Sequence, residues 1–370
     1  MWRKLRHAGG AVLCLATLTR VAVAAAPDTS GFIFVASPSD PEIAVIDSTT
    51  DIVVHRLRLP AAPRQVAVLD RGARLVVSDG VARKLSVIDA KSGVIEREMA
   101  TTVAPIMLQV ERTGTVLAVG DPVAGAVELI QLSKASTVMA SGLQGLQSIA
   151  FDVGGYLLAA HDHKLAVLDT QTGRMVTEFV IEEGNGPVTH VATDPGGDYA
   201  FVLQADRGIL SVFNLKKLTK AAHLVLPLPL GGALPSADSQ FMLVPIAGGR
   251  ALAVVSTWTL KESGRIPMAA PVSAVGLGLF QSVSIGMSRA SQSVQAADLR
   301  DRRSLGILRL PGVPEAGASS PDGVKFYVAL NDTGQVAVLD LLHTTVGLLI
   351  DTAVRGAATV IPAVGNNYCH

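Results

Sequence analysis

The sequence predicts an all-β protein: a single β-propeller, a ring of eight blades with four antiparallel strands each, closed by the C-terminal strand, with seven blades as the competing count. Three observations carry this. The stretch "KLSVIDAKSGVIEREM", Lys84 to Met99, returns as "KLAVLDTQTGRMVTEF", Lys164 to Phe179. An apolar-apolar-Asp register recurs at Asp47, Asp89, Gln131, Asp169, Asn214, Ser256, Asp298 and Asp340, with spacings of 42, 42, 38, 45, 42, 42 and 42. A period of about 40 to 45 with short strands is that of a propeller blade. Third, the chain is 49% apolar, 17% charged and 4% aromatic, which suits buried strands and argues against disorder.

Before the first repeat, "MWRKLRH", "AGGAVLCLATL" and "AVAAA" supply a basic start, an apolar stretch and a small-residue cleavage region. Residues 1–26 therefore read as a secretory signal peptide, cut after Ala24 or Ala26. A transmembrane anchor needs about 20 uninterrupted apolar residues, and Arg20 breaks the run. Cleavage removes Arg3, Lys4, Arg6 and Arg20 and leaves 27 basic against 31 acidic residues. No basic field then recruits nucleic acid or anionic lipid.

Residues 27–365 form the expected propeller. The second unit shows the pattern: "QVAVLD", the turn "RGA", "RLVVSD", the loop "GVAR", "KLSVID", the turn "AKSG" and "VIEREM". Alternation, many Val and Ile residues, and breaks at Gly or Asp mark strands. The recurring Asp ends the third strand, where its carboxylate can accept a backbone N–H about two residues on and set the next turn. A lone blade cannot cover both its faces, so copies stack around an axis and leave their loops free to vary. The chain enters the ring with a second-type strand, "FIFVAS", and leaves it with a first-type strand, "AATVIPA". Ala357–Ala363 is thus expected to become the innermost strand of the blade begun at Phe32.

Residues 366–370 are a short tail. Once the signal is removed, Cys369 is the one cysteine left, so no internal disulfide forms and an intermolecular bridge is the open alternative to a free thiol. Monomer and Cys369-linked dimer both stay possible.

"FIFVASPSDPEIAVIDSTTDIVVHRLRLPAAPRQVAVLDRGARLVVSD" and "ASSPDGVKFYVALNDTGQVAVLDLLHTTVGLLI" resemble the YVTN-type bacterial β-propeller repeat, with its Pro-Asp-Gly turn, Tyr-Val strand and Val-Ile-Asp strand. The resemblance runs from Gly31 to Pro362 and weakens between Leu230 and Leu310. It implies the fold and an exported protein, periplasmic or secreted, and specifies function hardly at all.

Function is expected where the loops from second to third strands meet the loops entering innermost strands, around the channel mouth. The ligand-binding candidates there are Arg64, His161, Asp162, His163, His190 and Arg355. Asp40, Glu42, Asp79, Arg83, Asp121, Asp206, Arg207, Arg250 and Asp332 share that face. His161 and His163 in "AHDHK" are weak metal-ligand candidates, since the pair supplies two ligands at most and a solvated polar loop is the plainer reading. His190 opens an innermost strand. Arg64 and Arg355 stand at comparable entries, where they would form an anion-binding collar.

No nucleophile elbow, phosphate loop, zinc-protease helix or EF-hand loop occurs. The leading expectation is a binding or scaffold propeller for a partner protein or small ligand, without catalysis and without a cofactor. Two alternatives rest on resemblance. The architecture is similar to the haem-binding propeller of periplasmic nitrite reductases and their maturation proteins, which would make His161, His163 or His190 axial ligands. The repeat also resembles lactonase-type propellers, which would imply metal-dependent hydrolysis.

Overall fold

The computed structural model describes residues 29–364 except 135, 182–185, 228–231, 247–249 and 281. The expected signal peptide and the tail with Cys369 lie outside the described residues. Eight four-stranded antiparallel sheets form, each numbered here as a blade in chain order. Blade 2 is typical and runs outward from the axis through Gln65–Leu69, Arg74–Asp79, Lys84–Asp89 and Ile95–Ala100. The count of eight settles the choice left open by the sequence.

Blade 1 is built from both ends of the chain. Thr359–Pro362 pairs antiparallel with Phe32–Ser37 as its innermost strand, in the register Ile33 opposite Pro362 and Ala36 opposite Thr359. The strands Asp40–Asp47 and Ile52–Arg58 complete it. This is the closure expected from the order of strand types.

The second and third strands of each blade are covered on both faces by neighbouring blades. Phe32–Ser37, Val116–Asp121 and Ala251–Ser256 are buried at every residue, whereas the outermost Ile52–Arg58 alternates with solvent. The apolar side chains divide into eight clusters, and each joins two adjacent blades. Stability therefore resides in the seams between blades, as in any architecture whose units cannot bury themselves.

The register residue does the local work expected of it. Oδ1 of Asp89 accepts from the Ser92 N–H at 2.7 Å, and Oδ1 of Asp169 accepts from Gln171 and Thr172 at 3.0 and 2.8 Å. Asp47, Asn214, Ser256, Asp298 and Asp340 close the same turn. Gln131 does not; its amide instead donates to the Thr170 carbonyl of the next blade at 2.9 Å. A second recurring device escapes the sequence reading. Asp152, Asp194, Ser236 and Ser320, each just after an innermost strand, accept the N–H that opens the second strand, at 2.6, 2.6, 2.9 and 3.0 Å. Burial pushes the Asp152 and Asp194 carboxyls above their usual range despite those bonds.

The closing seam carries a polar latch on top of its apolar cluster. Lys325 of blade 8 reaches Asp51 of blade 1 at 2.7 Å, and the Tyr327 hydroxyl donates to the other oxygen of the same carboxylate at 2.5 Å. Burial and that carboxylate push the Tyr327 phenol well above its usual value. Arg56 of blade 1 donates back to the Asp351 and Thr352 carbonyls of blade 8.

Candidate functional site

Every innermost strand runs in the same sense, so the ring has an entry face, where these strands begin, and an exit face, where they end. Turns from second to third strands lie on the entry face, and turns from third to fourth strands lie on the exit face. Each innermost strand pairs with one neighbour only, so its free edge lines the axis with backbone N–H and C=O groups.

The residues singled out from the sequence do reach the entry face, but they do not converge. His161 is no loop residue: it ends the strand Tyr156–His161, is 3% exposed, and its Nε2 lies 3.1 Å from Oε1 of Glu178 on the outermost strand of blade 4. Lys164 takes the other oxygen of Glu178 at 2.7 Å. Asp162 has a left-handed backbone, φ 47°, and its Oδ2 meets Nδ1 of His163 at 2.8 Å near the surface. Thus the "AHDHK" histidines part, one into the blade and one toward solvent.

His190 opens the innermost strand His190–Thr193, as expected. Its ring is packed beside Gly232, and burial pushes its pKa down, while a bond to the Ala233 backbone works the other way, so it is neutral near pH 7.

Most charges on this face hold turns. Asp79 and Asp121 accept the N–H groups of their own loops, and Asp332 accepts from Val313 at 2.8 Å. Arg83 and Arg250 occupy equivalent positions and donate to the Thr102 and Ala269 carbonyls. Glu42 pairs with Arg56 at 3.1 Å. Asp206, Arg207 and Arg355 are exposed. Arg64 is different: it lines a cleft of about 210 Å³ between blades 1 and 2, with Ser37, Gln65 and Thr359, and makes no ion pair among the described residues. Arg355 does not line that cleft, so no collar of two arginines forms around it. Among the described residues, no three His, Cys, Asp or Glu side chains lie close enough to hold a metal ion.

A larger cavity than the Arg64 cleft lies toward the other end of the channel. About 510 Å³ opens on the exit face, lined by innermost-strand residues of blades 6, 7, 8 and 1 and by their following turns. Leu234, Leu277, Phe326, Val360 and Val364 supply apolar wall, Ser319 and Ser320 supply polar atoms, and no lining side chain is ionisable. Its size falls within the usual range for small-molecule sites. Two features shape this end of the channel. The innermost strand of blade 6 is only Leu234–Pro235, and the next two innermost strands carry Gly276 and Gly317, which face Phe326 so closely that a Cβ at either would overlap its ring. Phe280 stands at the cavity's edge, 75% exposed, in a turn where it and Leu279 both have left-handed backbones, φ 53° and 46°. Bulky residues rarely accept that conformation, and such strain gathers at functional positions.

No family model and no curated protein matches the chain. Solved structures do. The structure titled dihydro-heme d1 dehydrogenase NirN in complex with DHE superposes with a TM-score of 0.77 at 13% identity, over 93% of this chain and 77% of that one. AztD from Citrobacter koseri superposes in two structures, one of them the apo form, with TM-scores of 0.69 and 0.68 at 14 and 15% identity, each over 89% of this chain and 96% of that one. Among the described residues no helix is long and apolar enough to cross a membrane. At these identities the likeness is one of fold, and it establishes the chain as an eight-bladed β-propeller.

Proposed function

We propose that the chain is an exported propeller of the YVTN-repeat type that binds a small, largely apolar ligand in the axial cavity and does no chemistry on it. The single observation that carries this is the cavity itself: ligand-sized, lined mostly by apolar side chains with backbone and two serine hydroxyls as its polar atoms, and without an ionisable side chain to act as acid or base. Export to the periplasm or medium rests on residues 1–26. The expected entry-face site gives way to the exit face, because the entry-face charges are largely engaged in turns.

A cofactor reading is favoured by one observation, the fold shared with a protein whose structure is in complex with DHE. His161, His163 and His190 do not line the cavity, so the residues present do not fit a haem held there through any of them. Native mass spectrometry of the mature chain, purified without reductant, tests both readings. The ligand reading expects a mass excess that denaturation removes and that the rim variant Ala237→Trp lowers. A visible absorption band on the same material moves the assignment to a pigment. A bare mass with an unobstructed cavity overturns the ligand reading and turns the search to partner proteins.

A further inference from the structure

We propose that the exit face of blades 6, 7 and 8 docks on a phospholipid surface, so that the axial cavity opens against the bilayer. Docking stands on the rim residues alone; the further consequence, that the apolar ligand enters from lipid, rests on the cavity reading above.

The repeat itself marks this rim. Two residues past the register position, on the turn from third to fourth strand, six blades carry Thr49, Lys91, Ser133, Gln171, Lys216 and Arg300. The other two carry Trp258 and Leu342, 83% and 62% exposed, and these are blades 6 and 8, whose inner edges help wall the cavity. Six polar examples show that the turn needs no apolar residue there, so these side chains stand in water at a cost the fold does not demand. Blade 7 lies between them. It contributes the exposed Phe280 at the cavity's edge and, at the same register position, Arg300, which is exposed and has no ion-pair partner among the described residues.

Trp258 stands between Thr257 and Thr259, and Leu342 is followed by His343, so the apolar groups are single tips on polar turns. A folded partner protein is gripped by a close-packed patch, whereas a fluid headgroup region admits isolated side chains. Tryptophan favours that boundary, with its ring in the apolar part and its N–H near water. Arg300 adds a forked set of donors for phosphate oxygens. The mature chain has 27 basic against 31 acidic residues, so insertion and not charge drives the contact, and a zwitterionic bilayer suffices.

Removal of residues 1–26 takes Trp2 and leaves Trp258 as the single tryptophan of the mature chain, a reporter placed on the rim. Phosphatidylcholine vesicles are expected to shift its emission to the blue, to protect it from acrylamide quenching and to sediment the chain, at low and physiological salt alike. Phe280→Asn and Leu342→Gln should each lower the partition coefficient about tenfold. Asparagine accepts the left-handed backbone at 280 more readily than phenylalanine, and glutamine already stands at the matching position of blade 4, so both variants should keep their urea unfolding. Neither shift nor sedimentation with vesicles overturns the docking. Binding that survives both substitutions also overturns it, since the contact then lies elsewhere. So does binding confined to anionic vesicles and abolished by salt, which is charge alone. A blue shift without vesicles that grows with protein concentration overturns it as well and gives the face to a second copy. All these results leave the cavity reading standing, because native mass spectrometry tests that without a membrane.

Discussion

Blade 4 and blade 7 are laid out alike, with innermost strands of 6 and 5 residues and second, third and fourth strands of 6 residues each. Blade 4 keeps the repeat: Asp169 with Thr172 in one turn, Asp152 with Gly154 and Gly155 in another. Blade 7 departs from it. Its innermost strand is "AVGLG", its following turn forces Leu279 and Phe280 into left-handed backbones, and its neighbour blade 6 has a two-residue innermost strand. The cavity lies where the repeat is poorest. Once a strand's length and its buried face are kept, the blade still stacks, and the inner edge and turns are free to be spent on a site.

Substitutions at the seams and in the turns would break or sharpen that comparison. Phe326→Ala empties the ring that Gly276 and Gly317 accommodate at the seam of blades 7 and 8, and should cost about 4 kcal/mol in urea unfolding. A loss of under about 1 kcal/mol would mean the seam collapses to fill the space. Asp51→Ala at the closing seam removes the carboxylate from Lys325 and the Tyr327 hydroxyl and leaves both only the Ser48 carbonyl, with an expected loss of about 2 kcal/mol. Tyr327→Phe, which removes one bond and keeps the ring, should cost about 1 kcal/mol.

In the regular blades, Asp169→Ala removes three turn bonds and should cost about 1 kcal/mol, while Ser256→Ala in blade 6 removes a single bond of 3.3 Å and should cost less. Equal effects would show that the degenerate turn has kept its strength.

The smallest effect is on pH dependence. The Ser92 N–H and hydroxyl hold the Asp89 carboxyl below its usual range, as Thr172 does for Asp169 and His343 for Asp340. Their folded values lie below the unfolded ones, so their stabilisation is present above about pH 4 and is lost as pH falls through the folded values. Asp152 and Asp194 are raised by burial and act in the opposite sense: their contribution is full below the unfolded value and is lost as pH rises through the folded one. Asp89→Asn should therefore flatten the acid limb of a stability profile, and Asp194→Asn should steepen its fall toward acid. Urea midpoints between pH 3 and 7 would read both slopes.

The sequence by itself determined the blades. Period, strand alternation, the turn-setting Asp and the order of strand types at the two ends lead to a ring closed by Thr359–Pro362, because each of these acts within one blade or at fixed spacing along the chain. Residue type also put His190 at a strand start and Arg64 at a strand entry correctly. What lay beyond it were partners on distant strands, within a blade or across a seam. Glu178 takes His161 into the blade, Asp51 joins Lys325 to Tyr327 from the far end of the chain, and Phe326 fills the place of two absent side chains. The face that opens was likewise a tertiary decision. A cavity is the space left after all eight inner edges have packed, and no single stretch of sequence carries that sum.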